Sequence, residues 1–297
     1  CIRDSLNIGT DHLDYHSNLK EYTDIKFQIF NPSSPLMLIN DNLIAYKDNY
    51  DYIRAAKYPL TTISKENKSA DIYYEIFSSE TDKSLFSITI NNPPIGYFPS
   101  SCYTYKFSCE LFPEFNIENL VFGICSIGFS DFSHMHTNEL DYLDLPKGRT
   151  ELIKNISANV IIDFAHNAEG LELFLSSIKN YFAKIVVVFG CGGDRDKLKR
   201  PKMMKAAINN ASEVIFTSDN SRSENFNSIF YDAMEGNDQE RVTPIEDRRE
   251  AIIHGSSLLI EKDDCLVILG KGHEETQETS GKTIFFSDHE VVNEIYK

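Results

Sequence analysis

The second half of the chain alternates short apolar runs with longer stretches in which apolar residues recur every three or four positions. The run IVVVF at 185–189 is β-branched and uninterrupted, which is typical of a strand buried on both faces. The longer stretches have the period of helices that pack one face against a sheet. The pattern predicts an α/β fold with a doubly wound, mostly parallel, Rossmann-like sheet. Strands are expected at 159–164, 185–189, 213–217 and 265–269, and helices near 168–181, 201–211, 225–234 and 247–261.

The first half of the chain is less regular and predicts part of another α/β domain. Asn18 is expected to cap a helix. Residues 35–42 have the pattern of a buried strand, residues 46–101 that of short strands and loops, and residues 114–127 that of an apolar helix. On the helix that Asn18 caps, one face would carry an apolar stripe made of Leu19, Tyr22, Lys26 and Ile29.

Proline and glycine separate the two halves in the segment LPKGR at 145–149. Domain boundaries fall in such segments, and 297 residues are enough for two domains with a core each. We therefore expect one domain at 1–147 and a second at 148–297.

Polar residues follow each predicted strand of the second domain. The strand at 185–189 is followed by Gly190-Cys191-Gly192-Gly193 and a cluster of charges of both signs. Ligands of open parallel sheets bind beyond the carboxyl ends of the strands, which is where these loops would meet. The sequence therefore predicts a binding site built from the segments 163–167, 190–200, 218–224 and 270–274.

Composition excludes several kinds of partner. The formal net charge of −16 argues against nucleic acid or an anionic membrane surface as the main partner. The 6 cysteines have no metal-ligand spacing, and no stretch is long and apolar enough to span a bilayer. These features predict a cytoplasmic protein with reduced thiols.

The polar loops carry a family resemblance. The segments FGCGGDRDKLKRPKM, DFAHN, LGKGHEETQE and FSDHEVV resemble motifs of the Mur ligases, in particular of the UDP-N-acetylmuramoyl-tripeptide synthetases. TSDNSRSE is similar to the D-N-P-R motif of that family, with Ser221 in place of proline. Asn7, Asp11 and His12 match its N-x-x-x-D-H segment, and Arg149 with Glu151 match its P-G-R-x-E hinge. The resemblance implies a C-terminal amino-acid and nucleotide-binding domain behind the remaining part of a central ATPase domain.

The resemblance implies ATP-dependent amide formation in peptidoglycan precursor synthesis. The family phosphorylates the terminal carboxylate of a UDP-N-acetylmuramoyl dipeptide and lets the amine of an amino acid attack the acyl phosphate. A diamino acid is expected here, meso-2,6-diaminopimelate by the arginine of the D-N-P-R-like loop, with lysine or ornithine as alternatives. Magnesium is the expected cofactor and ATP the co-substrate, and the protein is expected to be a monomer.

The family's site residues carry over by matching motifs. His12 and Lys26, the latter as a carbamate, are expected to carry catalysis on the Mg²⁺ side. The residues expected to bind ATP are Asn116, Arg149, Asp163 and His166. Those expected to bind the incoming amino acid are Arg195, Asp219, Asn220, Arg222, Gly270 and Glu274.

One element of such a ligase is not found in these residues. Gly281-Lys282-Thr283 is not a P-loop, because position 276 is threonine and no buried strand precedes it. We therefore expect the chain to be the C-terminal part of a longer enzyme and to be inactive alone. A folylpolyglutamate synthase-like ligase would share the domains but not the motifs at 219–222 and 270–274. A non-catalytic remnant that only binds a ligand would share every feature.

Overall fold

The computed structural model describes residues 2–5, 18–28, 30, 36–46, 49, 51, 60–92, 103–127, 140 and 143–297. The chain divides into two compact units, Cys1–Asp144 and Leu145–Lys297. The division falls at the start of the segment 145–149, in which proline and glycine are concentrated, and lies three residues before the predicted boundary. Among the described residues, no helix combines the length and the apolar content that crossing a bilayer requires.

The first unit contains a six-stranded sheet whose strands lie in the order of the sequence. Neighbouring strands are parallel from β1 to β4, and β5 and β6 extend the sheet in antiparallel fashion. A short 3₁₀ helix, Asp41–Ala45, follows β2. The strands are β1 Ile2–Ser5, β2 Leu36–Asn40, β3 Leu60–Ser64, β4 Ile72–Ser79, β5 Ser84–Ile90 and β6 Tyr103–Cys109, and the α-helices are α1 Leu19–Phe27 and α2 Glu114–Ile127.

Helix α1 begins as predicted, but one residue of its predicted apolar stripe is exposed. The Asn18 side chain accepts a hydrogen bond from the backbone N–H of Glu21 at 3.0 Å, which confirms the cap. Tyr22 of the predicted stripe is buried, together with Thr23 and Phe27, while the side chains of Leu19 and Ile29 lie outside the described ones. Lys26 is exposed, and its Nζ lies 5.5 Å from the centroid of the Tyr22 ring. The prediction that Lys26 belongs to the buried stripe is wrong.

The second unit contains the predicted mostly parallel sheet. Its strands lie in the order β11-β10-β9-β12-β8-β7, and only the edge strand β7 is antiparallel to its neighbour. The strands are β7 Glu151–Leu152, β8 Asn159–Asp163, β9 Lys184–Phe189, β10 Glu213–Phe216, β11 Val242–Pro244 and β12 Asp264–Leu269, with the hairpin β13 Thr276–Thr279 and β14 Lys282–Phe285 beside the sheet. The helices are α3 Ala168–Ile178, α4 Lys199–Asn210, α5 Phe226–Met234, α6 Arg248–Ser257 and α7 Asp288–Ile295.

Helices cover both faces of this second sheet because successive strand residues point to opposite sides. The Phe216 ring packs against Phe226 and Phe230 of α5 at centroid distances of 5.9 and 5.6 Å. Its neighbour Ile215 belongs instead to a buried cluster with Ile252 of α6 and further residues of α7. This two-sided packing confirms the doubly wound architecture that the sequence predicts.

The position of β12 opens a crevice at one edge of the second sheet. This strand is last of the parallel set in the sequence, yet it lies between β8 and β9. The chain therefore returns to the middle of the sheet by way of the opposite face, which is the arrangement that opens a ligand crevice at the carboxyl ends of the strands. The loops after β8, β9, β10 and β12 leave the sheet at this edge.

Candidate functional site

The loops that leave β9, β10 and β12 are in direct contact, and glycine makes the contact possible. A Cβ atom at Gly193 would lie 1.9 Å from the carbonyl oxygen of Ser221, a distance that no side chain tolerates. Gly270 has a φ of +107°, and a Cβ there would lie 2.7 Å from Oδ2 of Asp219. The D-N-P-R-like loop therefore packs against the glycine loop on one side and the Gly270 loop on the other.

Asn220 links two of the predicted amino-acid-binding segments. Its Nδ2 donates to Oε2 of Glu274 at 3.2 Å, and its Oδ1 accepts a hydrogen bond from the backbone N–H of Glu278 at 2.9 Å. The same Glu274 oxygen accepts a hydrogen bond from the buried Lys271 ammonium at 3.1 Å. Buried polar groups that are paired in this way are held in a fixed geometry. The structure brings together Asp219, Asn220, Gly270 and Glu274, as the motifs predict.

Arg222 lies at the junction of three segments. Its Nη1 donates to the carbonyl oxygens of Gly193 at 2.8 Å and Asn220 at 3.3 Å. Gly192 lies beneath both predicted arginines, because a Cβ there would be 3.2 Å from Nη1 of Arg222 and 3.7 Å from Cγ of Arg195. The exposed Arg195 and the partly buried Arg222 are therefore neighbours at the edge of the crevice.

Ser221 replaces the proline of the family motif without leaving the loop unsupported. Its Oγ donates to Oγ1 of Thr279 on β13 at 3.1 Å. The backbone N–H of Arg222 also donates to the carbonyl of Glu278 at 3.1 Å. Proline stiffens a loop by fixing φ, whereas here hydrogen bonds to the β13–β14 hairpin hold the same segment.

The predicted ATP-binding residues of the second unit gather around Phe164. The guanidinium carbon of Arg149 lies 4.5 Å from the centroid of its ring, and the His166 ring lies at 4.9 Å. Asp163 accepts hydrogen bonds from the backbone N–H groups of Thr150 and Ala165, both at 2.7 Å. Burial raises the pKa of the Asp163 carboxyl, although these hydrogen bonds oppose the shift. The three predicted residues therefore form one cluster, centred on a ring that was not among them.

The predicted residues of the first unit are less informative. Asn116 is buried at the start of α2, and its Nδ2 donates to the carbonyl of Phe112 at 2.8 Å. Lys26 projects from the exposed side of α1. His12 lies outside the described residues. The roles assigned to these three residues stay predictions.

A buried arginine beneath the crevice was missed by the sequence reasoning. Arg200, at the start of α4, is fully buried and donates to both oxygens of Glu224 at 3.0 and 2.7 Å. It also donates to Asp232 at 2.7 Å and to the carbonyl of Gly192 at 3.1 Å. In the sequence it is one charge in the run KLKRPK, and no local feature separates it from its exposed neighbours. Arg200 fixes the glycine loop to the loop after β10.

We expect the Arg200–Glu224 pair to make stability depend on pH in the acid range. The hydrogen bond from Arg200 lowers the pKa of Glu224 from 4.5 to about 2. A carboxyl with a depressed pKa contributes stability above its unfolded value, and this contribution is lost as the pH falls toward 2. Glu224→Gln should therefore be less stable than the parent chain at pH 7, with the difference shrinking between pH 4.5 and 2.

Urea midpoints measured across this pH range test the expectation. Glu235→Gln, at an exposed position of the same unit, is the matched control. A stability difference that is the same at pH 7 and at low pH would mean that the pair does not control the acid transition.

Comparisons with known proteins agree with the geometry. The family described as "Mur ligase middle domain" matches residues 5–127, and "Mur ligase, glutamate ligase domain" matches residues 148–272. The UDP-N-acetylmuramoyl-L-alanyl-D-glutamate–2,6-diaminopimelate ligase of Helicobacter pylori is 34% identical over 98% of this chain, which spans 62% of that protein. The solved structure of a ligase of the same name has a TM-score of 0.62 and 29% identity over 99% of this chain, which covers 59% of it.

A more distant structure shares only the fold. Folylpolyglutamate synthase from Mycobacterium tuberculosis, solved with ADP and AMPPCP, has a TM-score of 0.65 at 17% identity. Matches to both domains and to relatives across almost the whole length agree with the loop motifs at the carboxyl edge of the sheet. The chain belongs to the Mur ligase family, of which it contains the middle and C-terminal domains.

Proposed function

We propose that this chain is the part of a ligase that adds meso-2,6-diaminopimelate to UDP-N-acetylmuramoyl-L-alanyl-D-glutamate at the expense of ATP. The observation that carries the proposal is the hydrogen bond between Asn220 and Glu274, which joins the two loops that would bind the amino acid. The names of the relatives that are 34% identical support the same substrate. A reaction that uses ATP and a nucleotide-linked substrate supports a cytoplasmic location.

In this proposal, two clusters of side chains in the second unit bind two different substrates. Arg149, Asp163 and His166 would hold the nucleotide, with the Phe164 ring as an apolar surface beside them. Asp219, Asn220, Arg222, Gly270 and Glu274, together with Arg195, would hold the diamino acid. Side chains held in a fixed geometry would promote the reaction by positioning the substrates, because the amine must reach the acyl phosphate in the correct orientation.

The amide-forming step requires an amine without a proton. The amine attacks the carbonyl carbon of the acyl phosphate, the bond from carbon to the phosphate oxygen breaks, inorganic phosphate leaves, and the nitrogen releases one proton as the amide forms. Asp219, whose side chain is buried beside Gly270, is near the incoming amine in this proposal. The loops at the edge of the crevice would exclude water from the acyl phosphate and so prevent its hydrolysis.

Magnesium is compatible with the residues of the first unit. In the described ranges, no group of three or more His, Cys, Asp or Glu side chains is placed to hold a metal ion. Mg²⁺ does not need such a group, since it keeps several waters and binds through one or two carboxylates and substrate phosphates. Lys26 is exposed and thus open to CO₂, and as a carbamate it would supply an oxygen ligand, with His12 as the second contact. The ion would neutralise phosphate charge during phosphoryl transfer.

Lys26→Ala is expected to abolish ligase activity, with partial rescue by bicarbonate or short carboxylates. The alanine removes the amine that CO₂ modifies, and a small carboxylate can replace the lost oxygen ligand. The measurement is the turnover of this chain fused to the part of the Helicobacter pylori relative that lies outside the match. Lys20→Ala is the control, because Lys20 is exposed on the same helix and forms a surface ion pair with Asp24 at 3.0 Å. Near-normal turnover of Lys26→Ala would exclude the carbamate.

Mass spectrometry of the product tests the proposed function as a whole. The fused protein is supplied with ATP, Mg²⁺, the UDP-linked dipeptide and diaminopimelate. We expect an ATP-dependent tripeptide product from the fusion and none from the 297-residue chain alone. A product from the chain alone would contradict the expectation that it lacks a P-loop. No product from the fusion would contradict the proposed function.

A further inference from the structure

The turn that carries Arg149 is attached to carboxylates on both sides. The backbone N–H of Gly148 donates to Oε2 of Glu151 at 2.6 Å, and the N–H of Thr150 donates to Oδ2 of Asp163 at 2.7 Å. Strand β7, which begins at Glu151, is two residues long and lies at the edge of its sheet. Its short ladder holds little of the chain before it, so the contacts with the two carboxylates fix the turn.

His289 at the start of α7 holds the Glu151 carboxylate. Its Nε2 lies 2.8 Å from Oε2 of Glu151, the same oxygen that accepts the hydrogen bond from Gly148. An ionised carboxylate only accepts hydrogen bonds, so Nε2 must be the imidazole nitrogen that carries a proton. The side chains of Glu151 and His289 are 31% and 11% exposed, which limits the competition from water.

The first turn of α7 is a rigid anchor for this imidazole. Asp288 immediately precedes His289, and its buried carboxylate accepts two hydrogen bonds of 2.8 Å from Arg248. Arg248 in turn donates to the carbonyl of Leu269, the last residue of the central strand β12. His289 therefore connects Glu151 to the middle of the sheet.

The guanidinium of Arg149 depends on this support. Its central carbon lies 4.5 Å from the centroid of the Phe164 ring, and the residue is exposed. A cation–π contact at an exposed site is weak, and a long side chain has many rotamers to lose. The guanidinium therefore stays over the ring only if the backbone that carries it is fixed.

We propose that Glu151 and His289 are positioning residues for Arg149. The imidazole holds the carboxylate, the carboxylate holds the N–H of Gly148, and the guanidinium is thereby kept over Phe164 before the nucleotide binds. The inference rests on the proposed function, in which Arg149 contacts ATP.

Hydrogen exchange at the amide of Gly148 tests the contact in the whole 297-residue chain. His289→Ala should raise the exchange rate roughly 3- to 10-fold, the range for a weakened hydrogen bond. Glu290→Ala, at the exposed next position of α7, is the control and should leave the rate unchanged. Amide spectra of each variant establish that the fold is retained.

Steady-state kinetics of the fused enzyme test the positioning role. His289→Ala should raise KM for ATP roughly 3- to 10-fold and leave kcat and KM for diaminopimelate nearly unchanged. In an Arg149→Ala background, the same substitution should have no further effect on KM for ATP, because residues that act through one another are not additive. Glu151→Ala should behave like His289→Ala, whereas Glu151→Gln keeps an oxygen for both donors and should stay close to the parent.

The outcomes separate this inference from the function on which it rests. If exchange at Gly148 is unchanged in His289→Ala, or if it rises while KM for ATP does not, the positioning role is refuted and the proposed function stands. Equal increases in KM for ATP and for diaminopimelate, or an added effect in the Arg149→Ala background, would show a general structural role and also refute it. If the parent fusion forms no product, the proposed function fails and the inference fails with it.

Discussion

Asp288→Ala is expected to lower the free energy of unfolding of the second unit by about 3–5 kcal/mol, the typical cost of leaving a buried charge without its partner. Arg248 and Asp288 have fully buried side chains and are joined by two hydrogen bonds of 2.8 Å. Arg248 also donates to the carbonyl of Leu269 at 3.0 Å, and its Nη1 has no hydrogen-bond partner among the described residues. The alanine would leave the arginine with one backbone acceptor in an apolar surrounding.

Urea denaturation provides the measurement, and the neighbouring ion pair provides a matched control. Arg249 and Glu294 join the same two helices, α6 and α7, but their side chains are 48% and 46% exposed. Glu294→Ala should therefore cost no more than about 1 kcal/mol. Equal losses in the two variants would show that burial does not decide the strength of the Arg248–Asp288 pair.

Arg222→Ala is expected to reduce the preference for diaminopimelate over lysine by roughly 10- to 100-fold, the range for a charged hydrogen bond in a partly buried site. The variant loses the guanidinium that we propose binds the distal carboxylate, which lysine does not have. Comparison of kcat/KM for the two amino acids in the fused enzyme measures the change. The substitution should lower kcat/KM for diaminopimelate and leave kcat/KM for lysine nearly unaltered, whereas the loss of a general structural contact would lower both.

Arg241→Ala is the control for this experiment. The guanidinium of Arg241 also donates to two backbone carbonyls, those of Ala211 and Ile208, at 3.0 Å each. Arg241 precedes β11, however, and so lies at the amino ends of the parallel strands rather than at the crevice. A preference that survives in Arg222→Ala, or that Arg241→Ala removes as well, would mean that Arg222 does not read the carboxylate.

Periodicity predicted the elements well wherever burial is regular. Helix α2 spans the predicted residues, Glu114–Ile127, because Ile117, Val121 and Ile124 repeat at helical spacing and are all buried. Each predicted strand of the second sheet is present within a residue or so at either end. Helix α1 was placed correctly, but Lys26 is exposed while Tyr22 and Thr23 are both buried, because the pattern alone does not decide which of two adjacent stripes faces the core.

The site could be predicted only where it is built from the loops that follow the parallel strands. Parallel strands bring their carboxyl ends to one edge, and for that reason Asn220 and Glu274 could be expected to meet. The buried pairs beneath the crevice could not be found in this way. Arg248 and Asp288 are far apart in the sequence, and only the tertiary packing of α6 against α7 makes them partners. The contact between Glu278 and Arg222 likewise depends on where the β13–β14 hairpin lies.

The most direct measurement is competition among diaminopimelate, lysine and ornithine for incorporation into the UDP-linked dipeptide. The three are supplied together at equal concentration to the fused enzyme with ATP and Mg²⁺, and the tripeptide products are counted by mass. The account predicts that diaminopimelate dominates the product, because in the proposed site the guanidinium of Arg222 binds a carboxylate that the other two lack. Equal or greater incorporation of lysine or ornithine would contradict it.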